Sequence, residues 1–290
     1  MTQLLAKNPE DAMTSLAPTV RLVHGADMPR LGLGTSPMDD AQTERAVAAA
    51  IEAGYRLIDT AENYGNERGV GAGMRGSGVA REELFVTTKL NKRWHGIDLV
   101  REALDASLER LGLDYVDLLL IHWPNPQQDR YVDAWRGMAK LLDEGVVRAI
   151  GTSNFKPAHL QRLLDETGVV PDVNQIQLSP LVTRGEARAF DEQHGIVTES
   201  WSPLGGGQTD VLKEPLVAEL ARKYERTTGQ LVLRWHVQLG LVPIPKSSNP
   251  ERLRQNLDVF SFTLDEADVA ALSALDRGEG AAVDSDAFGH

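Results

Sequence analysis

The chain of 290 residues contains no cysteine, which excludes a disulfide framework, thiolate metal sites and a cysteine nucleophile. It also lacks any apolar run approaching the ~20 residues that cross a bilayer, so no membrane partner is expected. Positive charge is in deficit: 30 Lys plus Arg stand against 42 Asp plus Glu, a net charge of −12. A field of that sign repels a phosphate backbone, which removes nucleic acid from the expected partners. An anionic ligand would need a local basic notch. The opening segment, MTQLLAKNPEDAMTS, has acids where a secretory leader would carry a basic and then an apolar block, so a cytoplasmic location is expected. No GxGxxG turn follows the early strand candidates, and the first loop reads GTSPMDD (34–40). That disfavours a doubly wound dinucleotide fold. No low-complexity linker interrupts residues 20–275, and no heptad or apolar seam suggests self-association, so a single-domain monomer is the default.

What is present is ordinary globular composition, 42% hydrophobic and 25% charged, enough for a sizeable core. Residues 1–18 show no sustained periodicity and are expected to form a flexible extension. From Val20 to Met28 a β-rich stretch broken by Gly25 predicts a hairpin. Eight short apolar runs follow: LGLG (31–34), RLID (56–59), LFVTT (84–88), YVDLLLI (115–121), VRAIG (147–151), VNQI (173–176), IVTES (196–200) and LVPI (241–244). Amphipathic segments of helical period separate them, such as 41–54, 98–112 and 131–145. Gly54, Gly112, Gly145, Gly168 and Gly195 fall where helices end in a left-handed residue. Strands alternating with helices imply a parallel sheet, and eight such units without a break predict an α/β protein with a (β/α)8 TIM barrel over 19–276. A tail, 277–290, is expected near the mouth.

In such a barrel the functional groups collect at the C-terminal ends of the strands. Those positions hold Asp59, Lys89, His122, Ser153, Asn154, Gln175, Trp201, Ser202, Lys246 and Ser247, with Tyr64 five residues past Asp59. Only eight residues are lysine, against twenty-two arginines, and two of the eight lie at strand ends. A free tyrosine is a poor acid at neutral pH. A Lys89 ammonium held by Asp59 would stabilise the Tyr64 phenolate, tuning it to protonate a developing alkoxide while His122 orients the carbonyl. No nucleophile has a paired base, and Asp59 and His122 alone are too few ligands for zinc, so no metal is expected. A proton donor without nucleophile or metal implies that a bound cofactor brings the attacking hydride. The segment VPIPKSSNPERLRQN (242–256) supports this: a strand, a basic loop and a helix starting at Asn249-Pro250. Loops after the last barrel strand often bind phosphate. Lys246, Ser247, Asn249 and Arg252 supply donors, and a guanidinium grip on a 2′-phosphate favours NADPH over NADH. Trp123 is expected to line the pocket, and Trp135 and Trp235 to pack in helices. Two rivals stand beside this reading: a cofactor-binding regulatory or redox-sensing barrel, and a barrel hydrolase or aldolase using Lys89 as a Schiff-base amine.

The strings GYRLIDTAENYGNERGVG (54–71), LFVTTKL (84–90), DYVDLLLIHWP (114–124), VRAIGTSNF (147–155), NQIQLSP (174–180), SWSPLGGG (200–207) and IPKSSNPERLRQN (244–256) resemble the aldo-keto reductase family. The WHVQLG string and short tail look closest to its bacterial diketogluconate-reductase-like members. The resemblance implies a (β/α)8 barrel that reversibly reduces small aldehydes and ketones with NADPH. The family's catalytic tetrad falls on Asp59, Tyr64, Lys89 and His122. Its nicotinamide contacts fall on Ser153, Asn154, Gln175 and Trp201. Its phosphate and adenosine contacts fall on Ser202, Leu204, Lys246, Ser247, Asn249, Arg252, Gln255 and Asn256. Ser36-Pro37 stands where many members have an aromatic after the first turn, and Gln177 replaces a glutamate. Trp94 is expected to substitute for the pocket aromatic that many members carry at the position of Asn91. The tail is polar where many members fold a long apolar loop.

Overall fold

The computed structural model describes residues 16–207 and 209–290. Of the expected N-terminal extension, residues 1–15 lie outside the described residues. The predicted hairpin is present: β1 (Thr19–Arg21) and β2 (Asp27–Pro29) pair antiparallel, with Gly25 at φ +95° in the turn. Eight parallel strands follow: β3 (Gly32–Gly34), β4 (Leu57–Asp59), β5 (Phe85–Leu90), β6 (Val116–Ile121), β7 (Val147–Ser153), β8 (Val173–Gln177), β9 (Val197–Trp201) and β10 (Val242–Pro243). Each pairs with its sequence neighbour. The Gly34 amide donates to Pro245 O at 3.2 Å, so first and last strands meet and the barrel is nearly closed. Close approach demands glycine here: a Cβ on Gly34 would stand 2.8 Å from Ile244 O.

Helices α1 (Asp40–Ala53), α2 (Glu67–Gly76), α3 (Leu99–Leu111), α4 (Tyr131–Asp143), α5 (Pro157–Thr167) and α6 (Gly185–Gln193) form the first six crossovers. In α1 the Asp39 side chain caps the Gln42 amide, Gly54 stops the helix at φ +109°, and Thr43, Ala46, Val47, Ala50 and Ile51 bury one face. That spacing is the helical stripe read from the sequence. The crossover from β9 to β10 holds two helices, α7 (Pro215–Lys223) and α8 (Thr228–Gln238). Pro215 starts the first, and a Thr227–Gln230 capping box starts the second. Beyond β10 come α9 (Pro250–Leu257) and α10 (Glu266–Ser273). Trp135 and Trp235 are fully buried within α4 and α8, as expected.

One parity runs through the strands. Leu57, Phe85, Leu118, Leu120, Ala149, Val173, Val242 and Ile244 form a single apolar cluster inside the barrel, joined by Leu22 and Met28 of the hairpin. His24 of that hairpin binds Asp172, just before β8, so the hairpin stoppers the N-terminal end. Because strand side chains alternate, Asp59, Lys89, His122, Ser153, Gln175, Glu199 and Trp201 share the inward parity, one or more steps further along each strand. The same period that fills the core therefore stacks polar groups above it.

Candidate active site

Those groups meet at the open end. Lys89, fully buried, donates from Nζ to Asp59 Oδ1 at 2.6 Å, to Asp59 Oδ2 at 2.8 Å and to Thr60 O at 2.9 Å, and lies 3.4 Å from Tyr64 Oη. Register explains the meeting. Asp59 ends β4 opposite Thr87 of β5, so Lys89 stands one inward step above it. A three-residue 3-10 turn at 62–64 then returns Tyr64 over the pair. Burial pushes the Asp59 carboxyl up, opposed by Lys89 and Gln175. Burial alone would lower the Lys89 ammonium, but Asp59 and Tyr64 raise it above its ordinary value. Lys89 does pull the Tyr64 phenol down, the expected direction, yet burial outweighs it and the net shift is upward. Tyr64 therefore holds its proton at neutral pH rather than being poised as phenolate.

His122 meets Tyr64 edge to face, with ring centroids 5.7 Å apart. Burial, then Lys89 and His290, hold its imidazole well below the ordinary value, so it is neutral, and its Nδ1 is buried without a partner among the described residues. Asn154 adopts φ +65° directly after β7 and links neighbours across the rim. Its Nδ2 donates to His122 O and to Ser153 Oγ, each at 3.0 Å, and its Oδ1 accepts from Trp201 Nε1 at 2.9 Å. Such left-handed backbone on a non-glycine residue persists only where surroundings enforce it. Gln175 Nε2 donates to Asp59 Oδ2 at 2.8 Å and to Glu199 Oε2 at 2.6 Å.

A cavity of about 730 Å³ opens above this floor, within the range of small-molecule sites. Asp59, Tyr64, His122, Ser153, Asn154, Gln175, Trp201, Ser202, Leu204 and Lys246 all contribute to its wall. Trp123 lines it as expected, but Trp94 does not. The 3-10 turn at 92–94 carries the indole to Glu62, where Nε1 donates to Oε2 at 2.9 Å. The remaining residues of the basic segment lie beyond the cavity, along the start of α9. Lys246, on the cavity wall, and Arg252, beyond it, are both exposed cations. Asn249 accepts at Oδ1 from the Glu251 amide at 2.9 Å and the Arg252 amide at 3.1 Å. The cap thus occupies the first helix amides, leaving side chains as the free donors. Ser247 turns to the Asn249 backbone, Gln255 Nε2 donates to Glu251 at 3.3 Å, and Asn256 is buried against Tyr55.

Sequence reasoning missed Glu199 and, within the tail expected near the mouth, the particular residues that face the cavity. Glu199 was passed over as part of a strand, although a charge on the inward parity was a visible signal. Phe288 and His290 of the tail also line the cavity. The His290 ring lies 4.8 Å from that of His122, and the Phe288 ring 4.9 Å from that of Trp123. Lys156 on the rim of α5 fastens the tail by ion pairs of 2.6 Å to both Asp284 and Asp286. The Val283 amide donates to Gln177 Oε1 at 2.8 Å. No local pattern in the tail announces this, because distant residues hold it.

A fully buried lysine–aspartate pair beneath a phenol and a neutral imidazole, roofed by aromatics, defines a site for proton donation to a polarised oxygen. Residues 28–277 match the Aldo/keto reductase family. The chain belongs to that family and is an NADP-dependent oxidoreductase acting on carbonyl groups. It is 52% identical over 268 residues to an aldo-keto reductase of Mycolicibacterium vanbaalenii, covering 92% of this chain and 95% of that one. It is 47% identical over 276 residues to the methylglyoxal reductase DkgA of Yersinia pestis, covering 95% and 99%. Among solved structures, an NADPH complex of a Gox0644 variant superposes with a TM-score of 0.90 at 41% identity, covering 95% of this chain and all of that one.

Proposed function

We propose that the chain reduces small aldehydes and ketones, including α-oxoaldehydes of the methylglyoxal kind, through Tyr64 as proton donor. The observation that carries this is the 3.4 Å approach of Lys89 Nζ to Tyr64 Oη over the buried Asp59 pair. The protein groups suit NADPH: a cavity with Trp201 on its wall and the exposed cations Lys246 and Arg252 at its far margin. When bound, NADPH supplies the hydride. Ser153, Asn154 and Gln175 would hold its carboxamide, Trp201 would stack on its ring, and Ser202 and Leu204 would flank the pyrophosphate. Lys246, Ser247, Asn249, Arg252, Gln255 and Asn256 would hold the adenosine end, with Arg252 on the 2′-phosphate.

Tyr64 keeps its proton on Oη until the carbonyl oxygen becomes an alkoxide, a far stronger base than phenolate. It then donates the proton, and the Lys89 ammonium stabilises the resulting phenolate. Neutral His122 positions the same oxygen. Trp123, Phe288 and His290 narrow the mouth, which favours small substrates, and the tail 277–290 forms that wall on a single barrel domain, 19–276. The protein is read as a monomer working in the cytoplasm. The regulatory alternative has no observation in its favour. The deciding experiment is a carbonyl panel that includes methylglyoxal, followed by NADPH absorbance. Substrate-dependent NADPH loss is expected, and none across the panel despite measurable cofactor binding would return the molecule to the regulatory reading.

A further inference from the structure

Glu199 is the one carboxylate in the floor without a role in the proton donor just described. It is fully buried on the inward parity of β9. Its Oε2 accepts from Gln175 Nε2 at 2.6 Å, while its Oε1 is buried without a partner among the described residues. The other acceptor of that same Nε2 is Asp59 Oδ2, at 2.8 Å. Both N–H groups of the Gln175 amide are therefore committed to carboxyl oxygens below, and Oε1 is the atom left for the cavity that Gln175 lines. Removing Glu199 would free one N–H and, with it, the choice of which amide atom faces the cofactor.

We propose that Glu199 is a positioning residue: it fixes the Gln175 amide with its oxygen toward the cofactor's carboxamide, and it couples its own proton to the redox state of the cofactor the site prefers. The inference rests on assigning Gln175 to that carboxamide. The charge count supports the coupling. Two carboxylates and one ammonium in a buried floor would leave an uncompensated negative charge, so the second carboxyl keeps its proton. Burial first, and the Asp59 charge second, push Glu199 up to about 8. The groups facing it are Gln175 on β8, Asp59 on β4, Lys89 on β5 and Tyr64 on the following turn. Its β10 neighbour, Val242, carries no charge. Asp191 of α6 bonds Thr198, whose side chain takes the opposite face of β9. His236 of α8 bonds the backbone of Val232 and Leu178 and is held neutral by burial, at about 4.

The oxidised nicotinamide ring carries a positive charge and the reduced ring does not. A Glu199 that ionises as pH rises through about 8 therefore favours NADP+ selectively. The test is equilibrium binding of each form, followed by quenching of tryptophan fluorescence from pH 6.5 to 9. For the wild type the ratio Kd(NADP+)/Kd(NADPH) is expected to fall by about three- to tenfold across that range, one pKa unit of coupling being tenfold. Because a ratio is read, titration of the shared 2′-phosphate cancels. Glu199→Gln keeps an acceptor for Gln175 but cannot ionise, so it should bind both forms at neutral pH within about twofold of wild type, with a flat ratio. Glu199→Ala, shown folded by circular dichroism, should weaken both forms by about five- to tenfold, the loss of one oriented hydrogen bond. A Glu199→Gln ratio that follows the wild-type curve, a flat wild-type curve, or unaltered binding by Glu199→Ala overturns the proposal. A wild-type protein that binds neither form would instead remove the assignment of the cavity to a dinucleotide.

Discussion

Two buried aspartates mark the two ends of the barrel, and they are held in opposite ways. Asp172, at the stoppered end, accepts from the His24 amide at 2.8 Å, from His24 Nδ1 at 2.9 Å and from the Ile150 amide at 3.0 Å. These partners tie one hairpin and two strands together, and Leu22 and Met28 seal the apolar layer beside them. Asp59, at the open end, is held by a lysine and an amide that themselves face a cavity. Around it His122 Nδ1, Trp123 Nε1 and Glu199 Oε1 are buried and unsatisfied. Orphaned polar atoms cost stability, so a cluster of them beside a cavity indicates partners that arrive from outside. The comparison separates what the fold spends on cohesion from what it reserves for chemistry.

The separation can be broken in measurable steps. Tyr64→Phe should lower kcat for carbonyl reduction by about 10²–10⁴-fold while NADPH binding is kept. A kcat near wild type would end the assignment of Tyr64 as proton donor. Lys89→Met strands the Asp59 carboxylate in a buried site, and urea unfolding should report a loss of about 3–5 kcal/mol alongside lost activity. Arg252→Ala should weaken NADPH by about tenfold and NADH far less, since only the former offers a 2′-phosphate to a guanidinium. Equal losses for both would detach Arg252 from that phosphate. At the other end, His24→Ala should cost about 1 kcal/mol of unfolding free energy and leave kcat unchanged. A fall in kcat there would show that the two ends are not independent.

A pH dependence of stability comes from Asp191, which burial pushes up to about 7 against an ordinary 3.8. The native state keeps that proton after the unfolded chain has lost it, so this group's contribution declines as pH rises from about 4 to about 7. Asp191→Asn removes the titration. Melting temperatures across that range should vary less for the variant than for the wild type.

Most of the architecture was legible because strand parity and helix stripes are local patterns. The last strand was overread: LVPI narrows to Val242–Pro243, since Pro243 and Pro245 lack the N–H groups that extend a ladder. Asp59, Lys89, His122 and Gln175 were legible as strand-end residues, and the structure brings them together with Tyr64. Trp94 was not, because a single 3-10 turn decides whether an indole faces the mouth or Glu62. The proposed phosphate site was half legible: the basic side chains can be read, whereas capture of the first helix amides by Asn249 depends on loop geometry. The tail was expected near the mouth, but what fastens it there was hidden for another reason. Lys156 and Asp286 stand 130 residues apart in sequence, and no window spans both.

The hairpin stopper has a consequence for traffic. With Leu22 and Met28 sealing the far end, the barrel is a blind well with its working floor near the lip. Water, the incoming carbonyl and the outgoing alcohol share one doorway. Phe288 and His290 stand in that doorway on a tail that Lys156 fastens to the rim through Asp284 and Asp286.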